Sequence, residues 1–231
     1  MGEVESKVKL IDYTNNPERN IAIASRMCYS DKNFEELSNN LSEEEIEEQV
    51  KKILDLGHYS TLEHTFFMFS IKTDRVSSHQ LVRQRIGVGY SQRSQRFVDE
   101  SDFDYITPNS IKENEEAEDL FKDAMSYGNE VYRKLINQYD IPKESARYVL
   151  PTIKTNIIAS YNARSLYHLF KLRCCRRAQK EIREIADSML KQVREVAPVL
   201  FSNAGPDCVR KGRCTEGDMS CGQPRDDLMV D

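Results

Sequence analysis

The stretch RQRIGVGYSQRSQRF (residues 83–97) holds four arginines, two glycines and two aromatics in a chain whose net charge is −5. A guanidinium is a planar fork that matches phosphate. Glycine lets backbone come close to a ligand where other residues cannot. Further arginines stand at Arg147, just ahead of YVLP, and at Arg164 and Arg173 in NARSLYHLFKLRCCRR. The turn GHYSTLEH (57–64) adds His58, Ser60, Glu63 and His64. Such groups would surround an anion, either a phosphorylated small ligand or nucleic acid. They would also serve as ordinary partners for the chain's 38 acidic residues, and residue types alone do not decide between these uses.

Several chemistries are excluded by spacing. There is no GxxxxGK[ST], and Gly87-Val88-Gly89 lacks both the third glycine of a dinucleotide fingerprint and a preceding strand. His58 and His64 lie six apart with Glu63 beside the second, which is not HExxH. Cys208, Cys214 and Cys221 are too widely spaced and too few for a four-ligand zinc site, so no metal is expected. Ser94 has no neighbouring histidine to activate it and suits a phosphate contact better than a nucleophile. Cys28 falls on an apolar helix stripe and reads as core. The opening MGEVESKVKLIDY lacks a secretory signal and no apolar run could span a bilayer, so six reduced cysteines in a cytoplasmic protein, with no membrane partner, are expected. The acidic balance argues against a nucleic-acid coat, and a nucleic-acid-binding module built on the arginine loop is the alternative function.

Local signals predict the elements that must position these groups. A helix is expected over 17–29, opened by Pro17. A second has Ser42 and Glu45 as a capping box, an Ile46, Val50, Ile53 and Leu54 stripe, and Gly57 as its stop. TFFMFSIK (65–72) reads as a strand buried on both faces. VSSHQLVRQR reads as a short helix that delivers Arg83 and Arg85 to its C-terminal end, where the dipole favours cations. A long helix is expected over 113–139, its apolar positions being Leu120, Phe121, Ala124, Tyr127, Val131 and Leu135. Asp140-Ile141-Pro142 breaks it, a short helix follows up to Pro151, and TIKTNIIASY is a strand. Helices over 163–175 and 179–197 come next; on the first, Leu166, Leu169, Phe170 and Leu172 face inward and leave Arg164 and Arg173 to flank a pocket. The class expected is α+β, a single compact domain over 1–202 with a mixed sheet and long helices, then a tail over 203–231.

Placed together, these pieces resemble the flavin-dependent thymidylate synthases. That family's signature is Arg-His-Arg, seven residues, then Ser, usually continuing to Arg-Tyr. Arg83-Gln84-Arg85 begins it here and Ser94-Gln95-Arg96-Phe97 ends it. The GH…EH turn at 57–64, ARxVLP at 146–151, Asn162-Ala163-Arg164-Ser165 and Leu172-Arg173 follow in the family's order. The departures are Gln84 for histidine, Phe97 for tyrosine, eight residues between Arg85 and Ser94, and Gln92 where an acidic residue is common.

The resemblance implies an α+β homotetramer with shared active sites and FAD bound without a Rossmann fingerprint. It implies methylation of dUMP with 5,10-methylenetetrahydrofolate, NADPH supplying the electrons. By carry-over, Ser60, Arg83, Gln84, Arg85, Gln92, Asn162, Arg164 and His168 would touch FAD. Gln80, Arg83, Ser94, Gln95, Arg96 and Arg147 would hold the nucleotide. Arg173 would take the catalytic position against the uracil edge.

Overall fold

The computed structural model describes residues 1–39 and 41–229. The chain forms β1 (Lys7–Tyr13), α1 (Pro17–Met27), α2 (Phe34–Asn39), α3 (Glu43–Leu56), a 3-10 helix (Tyr59–His64), β2 (Phe66–Asp74) and α4 (Arg75–Leu81). There follow β3 (Val88–Gln92), α5 (Asn109–Lys112), α6 (Glu115–Asn137) and α7 (Lys143–Ala146). After β4 (Lys154–Asn162) come α8 (Ala163–Arg173), α9 (Lys180–Val196) and the short α10 (Asp207–Arg210).

The four strands make one sheet of order β1-β2-β4-β3. Its register can be read from the hydrogen bonds at the strand ends. Thr14 N–H donates to the Phe66 carbonyl (2.9 Å), while the Ser6 and Thr73 hydroxyls lie 3.3 Å apart. Arg75 N–H meets the Ile153 carbonyl at 3.2 Å, and Ala163 N–H meets that of Thr65 at 3.0 Å. Arg93 N–H meets the Asn156 carbonyl at 3.0 Å, and Asn162 N–H meets that of Gly87 at 2.8 Å. In each pair one number rises as the other falls, so every neighbouring pair is antiparallel, where a mixed sheet was expected. β2 is buried on one face only: Phe67, Phe69 and Ile71 are fully buried, while Phe66 is 50% exposed. A continuous apolar run therefore does not mean two covered faces.

The described residues fall into two compact units interleaved along the chain. One comprises Met1–Val8, Ser70–Arg83 and Tyr90–Ile158; the other comprises Lys9–Phe69, Gln84–Gly89 and the chain from Ala159 onward. In the first, Phe103, Tyr105, Met125 and Ile153 form a core flanked by Phe121 and Leu150. α6 turns Met125, Gly128, Asn129 and Tyr132 inward, while Leu120 and Tyr127 are 71% and 69% exposed. Of the apolar stripe expected from the sequence, Leu120, Ala124 and Tyr127 lie outward, while Phe121, Val131 and Leu135 are half-buried. Beside Met125 and Tyr132 the inward face includes Gly128, where a Cβ would come within 2.9 Å of Pro151, and Asn129, which accepts from Asp102 N–H at 2.9 Å. A count of apolar residues passes over both.

In the second unit α3 carries the expected cap. Ser42 Oγ accepts from Glu45 N–H (3.3 Å), and the Glu45 carboxylate accepts from Ser42 N–H (2.9 Å). Gly57 closes the helix at φ 70°. Tyr167 stacks between Tyr59 and Phe201, with ring centroids 5.5 and 5.8 Å away. Tyr167 is buried, whereas Leu172, expected to face inward, is 45% exposed. Cys28 is exposed rather than core, because α1 ends at Met27 and the chain turns away.

Residues 203–229 fold onto this unit. Arg225 is buried; it pairs with Asp187 at 2.9 Å and Asp227 at 2.8 Å and donates to the Cys174 carbonyl. Burial opposes the guanidinium's charge, but the hydrogen bonds to Asp227 and Asp187 outweigh it and raise its pKa. Removing Arg225 takes away charge-assisted hydrogen bonds to two partly exposed carboxylates and leaves the buried Cys174 carbonyl without its donor, which costs about 3 kcal/mol. Arg225→Ala should therefore lower the melting temperature by roughly 6–12 °C and open 203–229 to protease. A melt within a degree of the parent would show that this anchor is not used. Residues 230 and 231 of the expected tail lie outside the described residues. Among those described, no helix is long and apolar enough to cross a membrane.

Candidate active site

In the first unit α4 is capped by Asp74, whose carboxylate accepts from Ser77 N–H at 2.8 Å, and it ends at Leu81. It stops short of the expected Arg85, so the exposed Arg83 lies in the turn beyond it and the partly buried Gln80 in its last turn. The expected loop over 86–93 contains β3, whose Tyr90 hydroxyl donates to the Leu81 carbonyl at 2.8 Å. Gln92 donates to the Ser78 and Thr155 hydroxyls at 3.1 and 3.2 Å. The next turn holds Ser94 and Gln95, both partly buried; Ser94 Oγ accepts from Arg96 N–H at 3.3 Å.

Arg96 and Arg147 meet at one residue. The Arg96 guanidinium pairs with the Glu144 carboxylate through Nη2 at 3.0 Å and Nε at 3.2 Å. Arg147 Nε donates to the Glu144 carbonyl at 3.1 Å. Arg75 joins them: burial, and then the charge of Arg147, lower its guanidinium pKa, with Glu100 opposing. The buried Glu100 already has Arg93, whose Nε lies 3.2 Å away. Guanidinium groups gathered in this way, with one carboxylate between Arg96 and Arg147, have the chemistry to take a phosphate dianion. Sequence reasoning missed Arg75. Its only local signal is its place immediately after the cap Asp74, and the neighbour that perturbs it comes from far along the chain.

In the second unit the segment Gln84–Gly89 is strapped to the start of α8. The Ile86 carbonyl accepts from Ser165 Oγ and the Gly87 carbonyl from Asn162 N–H. Gly87 sits at φ 67°, and a Cβ there would stand 2.2 Å from Asn162 Nδ2 and 2.6 Å from Ser165 Oγ. Asn162 is the N-cap of α8, its Oδ1 accepting from Ser165 N–H at 2.8 Å. Only its Nδ2 is left for a ligand. Gln84 is partly buried and Arg85 exposed at the head of this segment. Arg164 and His168 lie one turn apart on the exposed face of α8, and Arg164 pairs with Glu63 of the 3-10 helix. Ser60 and Arg164 line a cleft of about 580 Å³, together with Lys52, His58, Tyr59 and Thr61.

Of the residues that the resemblance gives to FAD, six are therefore in the second unit, while Arg83 and Gln92 are in the first. Arg173, the last residue of α8, is partly buried and lines a different cavity, of about 470 Å³. The cleft at Ser60 fits the polar half of FAD. Guanidinium, ammonium and hydroxyl donors suit a pyrophosphate, and Ile53 and Leu56 on its wall suit a ring.

Comparison with known proteins agrees with this chemistry. Residues 9–199 match the family model described as thymidylate synthase complementing protein. The flavin-dependent thymidylate synthase of Geobacter sulfurreducens is 44% identical over 221 residues, covering 94% of each chain. That of Clostridium tetani is 42% identical over 234 residues, covering 94% of this chain and 93% of its own. Among solved structures, the UMP/dUMP methylase PolB of Streptomyces cacaoi, bound with 5-Br dUMP, superposes with a TM-score of 0.77 at 19% identity, covering 87% of this chain and 94% of that one. At that identity it speaks for the fold. The helices, the antiparallel sheet, the arginine groups and the near-full-length relatives lead to one assignment: the chain belongs to the flavin-dependent thymidylate synthase family.

Proposed function

We propose that this chain catalyses the FAD-dependent reductive methylation of dUMP to dTMP, with 5,10-methylenetetrahydrofolate as carbon donor and NADPH as reductant. The observation that carries this reading is the family membership, and the meeting of Arg96 and Arg147 at Glu144 supports it. Arg75, Arg96 and Arg147 hold the nucleotide's phosphate, and Gln80, Arg83, Ser94 and Gln95 complete its site. Ser60, Gln84, Arg85, Asn162, Arg164 and His168, with Arg83 and Gln92, hold FAD. Bound FAD supplies the hydride chemistry, which no side chain can. Arg173 places a guanidinium against the uracil edge and stabilises negative charge as N3 ionises or C5 becomes nucleophilic. Because Arg173 and the Ser60 cleft line different cavities of one chain, a site assembled from several chains is the arrangement we favour. A homotetramer suits that, and the outward Leu120 and Tyr127 on α6 offer apolar contact area. Cytoplasmic location follows from the substrates. With the family shown, nothing specific favours the nucleic-acid alternative.

The test is a visible spectrum of the purified protein with dUMP, before and after anaerobic NADPH, followed by assay of dTMP once methylenetetrahydrofolate is added. A flavin spectrum that bleaches, then dTMP, is expected. Failure to hold flavin after incubation with FAD, or bleaching with no dTMP, would overturn the reading. Light scattering on the same sample should give four times the 26.8 kDa chain mass.

A further inference from the structure

Four cysteines, Cys175, Cys208, Cys214 and Cys221, line the cavity of about 470 Å³ at the end of α8, and all are free thiols. The last three alone fall short of a zinc site in number and spacing. The fold supplies the missing fourth from the turn after α8. Between the ties at Asp207 to Thr215 and Lys171 and the anchor at Arg225, the chain around this space has few contacts to hold its shape. Every residue from 211 to 224 is exposed, yet the segment turns repeatedly, with Gly212, Gly217 and Gly222 at φ 64°, 55° and 67°. Ordering such residues costs about 1–2 kcal/mol each in backbone entropy, and no buried apolar side chain among them offsets it. Surface pairs such as Arg177 with Glu216 contribute little. Small irregular segments of this kind are held by disulfides or by metal. The same cavity is lined by Lys171, Arg173, Arg176, Arg177 and Arg213, a cationic wall suited to an anionic centre.

We propose that Cys175, Cys208, Cys214 and Cys221 form a tetrathiolate site for a thiophilic metal centre that staples residues 206–224 to the end of α8. With Zn²⁺, four thiols release four protons and leave a tetrahedral complex of net charge −2, which the surrounding guanidinium groups balance. Among the described residues no three metal-ligating side chains already converge on one point. The loop closes on the metal as it binds, as in small domains whose ligands are gathered by their ion. None of its ligands belongs to the proposed flavin or nucleotide contacts, but Arg173 lines the same cavity, so the site adjoins the place the proposed function gives to the uracil, and its test reads metal rather than turnover.

The full-length protein, purified without oxygen or chelator, should carry one equivalent of zinc per chain. If the centre is instead an iron–sulfur cluster on the same thiols, iron and acid-labile sulfide should appear together. Stripped protein titrated with Co²⁺ should develop thiolate-to-cobalt charge-transfer absorption. Cys208→Ser/Cys214→Ser should abolish that absorption and the bound metal, whereas Cys28→Ser, at an exposed cysteine outside the cavity, should keep both. Should the double variant misfold, alkylation mapping on the wild-type protein decides: metal should protect the four cavity thiols and leave Cys28 reactive. Wild-type protein that arrives metal-free and gives no cobalt–thiolate absorption overturns the proposal, as does a double variant that binds metal like the parent.

Discussion

Arg173→Ala should cut dTMP formation by roughly 10²–10³-fold, the usual loss when a donor aimed at developing negative charge is removed. Flavin content and the melting temperature should change little, because the side chain is only partly buried at the last position of α8. The loss should fall on turnover more than on the flavin spectrum. Arg173→Lys should recover only part of it, since an ammonium lacks the planar fork. The measurement is dTMP formed per flavin under saturating substrates; turnover within twofold of the parent would remove Arg173 from the chemistry. The same variant also reports on the shared site. If Arg173 serves a neighbouring chain, mixing it with a variant inactive in nucleotide binding, such as Arg147→Ala, should regenerate some active sites that neither parent has.

Gly87→Ala should be the most damaging small change in the arginine stretch. Alanine at a left-handed φ costs about 1–2 kcal/mol. The added methyl would also run into Asn162 and Ser165. Neither can simply swing away, because Asn162 is buried and caps α8 and Ser165 holds the Ile86 carbonyl. Losing the cap adds about 1 kcal/mol, so a total near 2–4 kcal/mol is expected. FAD binding should weaken with it, since Gln84, Arg85, Asn162 and Arg164 all hang on this joint. Gly89→Ala is the control. A methyl there meets nothing within 4 Å, and its effect should stay within about 0.5 kcal/mol. Thermal melts and an FAD titration of the two variants check this, and equal melting would show that the joint tolerates a side chain.

What could be read in the sequence was what local chemistry dictates. The capping box and terminal glycine of α3 lie within its own residues, and the structure reproduces them. α8 and α9 were legible from their periodicity, as was the break at Asp140, which takes φ 52°. β1 and β3 were not anticipated. VGYSQ contains a glycine, and KVKLIDY alternates with charge; only pairing with residues far along the chain makes them strands. The face of α6 was only partly legible: Phe121 does flank the core, but its centre is made by Met125, Gly128, Asn129 and Tyr132 rather than by Leu120, Ala124 and Tyr127. The candidate site divides in the same way. Arginines at 96 and 147 could be tied together only through the family resemblance, since Glu144 joins them in space and not in any periodic pattern. Arg75 and Cys175 were invisible for the same reason: each acquires its meaning from a neighbour that folding brings up.

Glu144 has one further consequence. Its carboxylate holds Arg96 and its carbonyl holds Arg147, so on the proposed reading the chain keeps an internal understudy for the nucleotide's phosphate. Binding is then an exchange of partners rather than a simple filling of space. A nucleoside without its phosphate brings nothing able to dislodge that resident carboxylate, so Arg96 stays committed to it. Discrimination between deoxyuridine and its monophosphate would thus begin before any contact with the base.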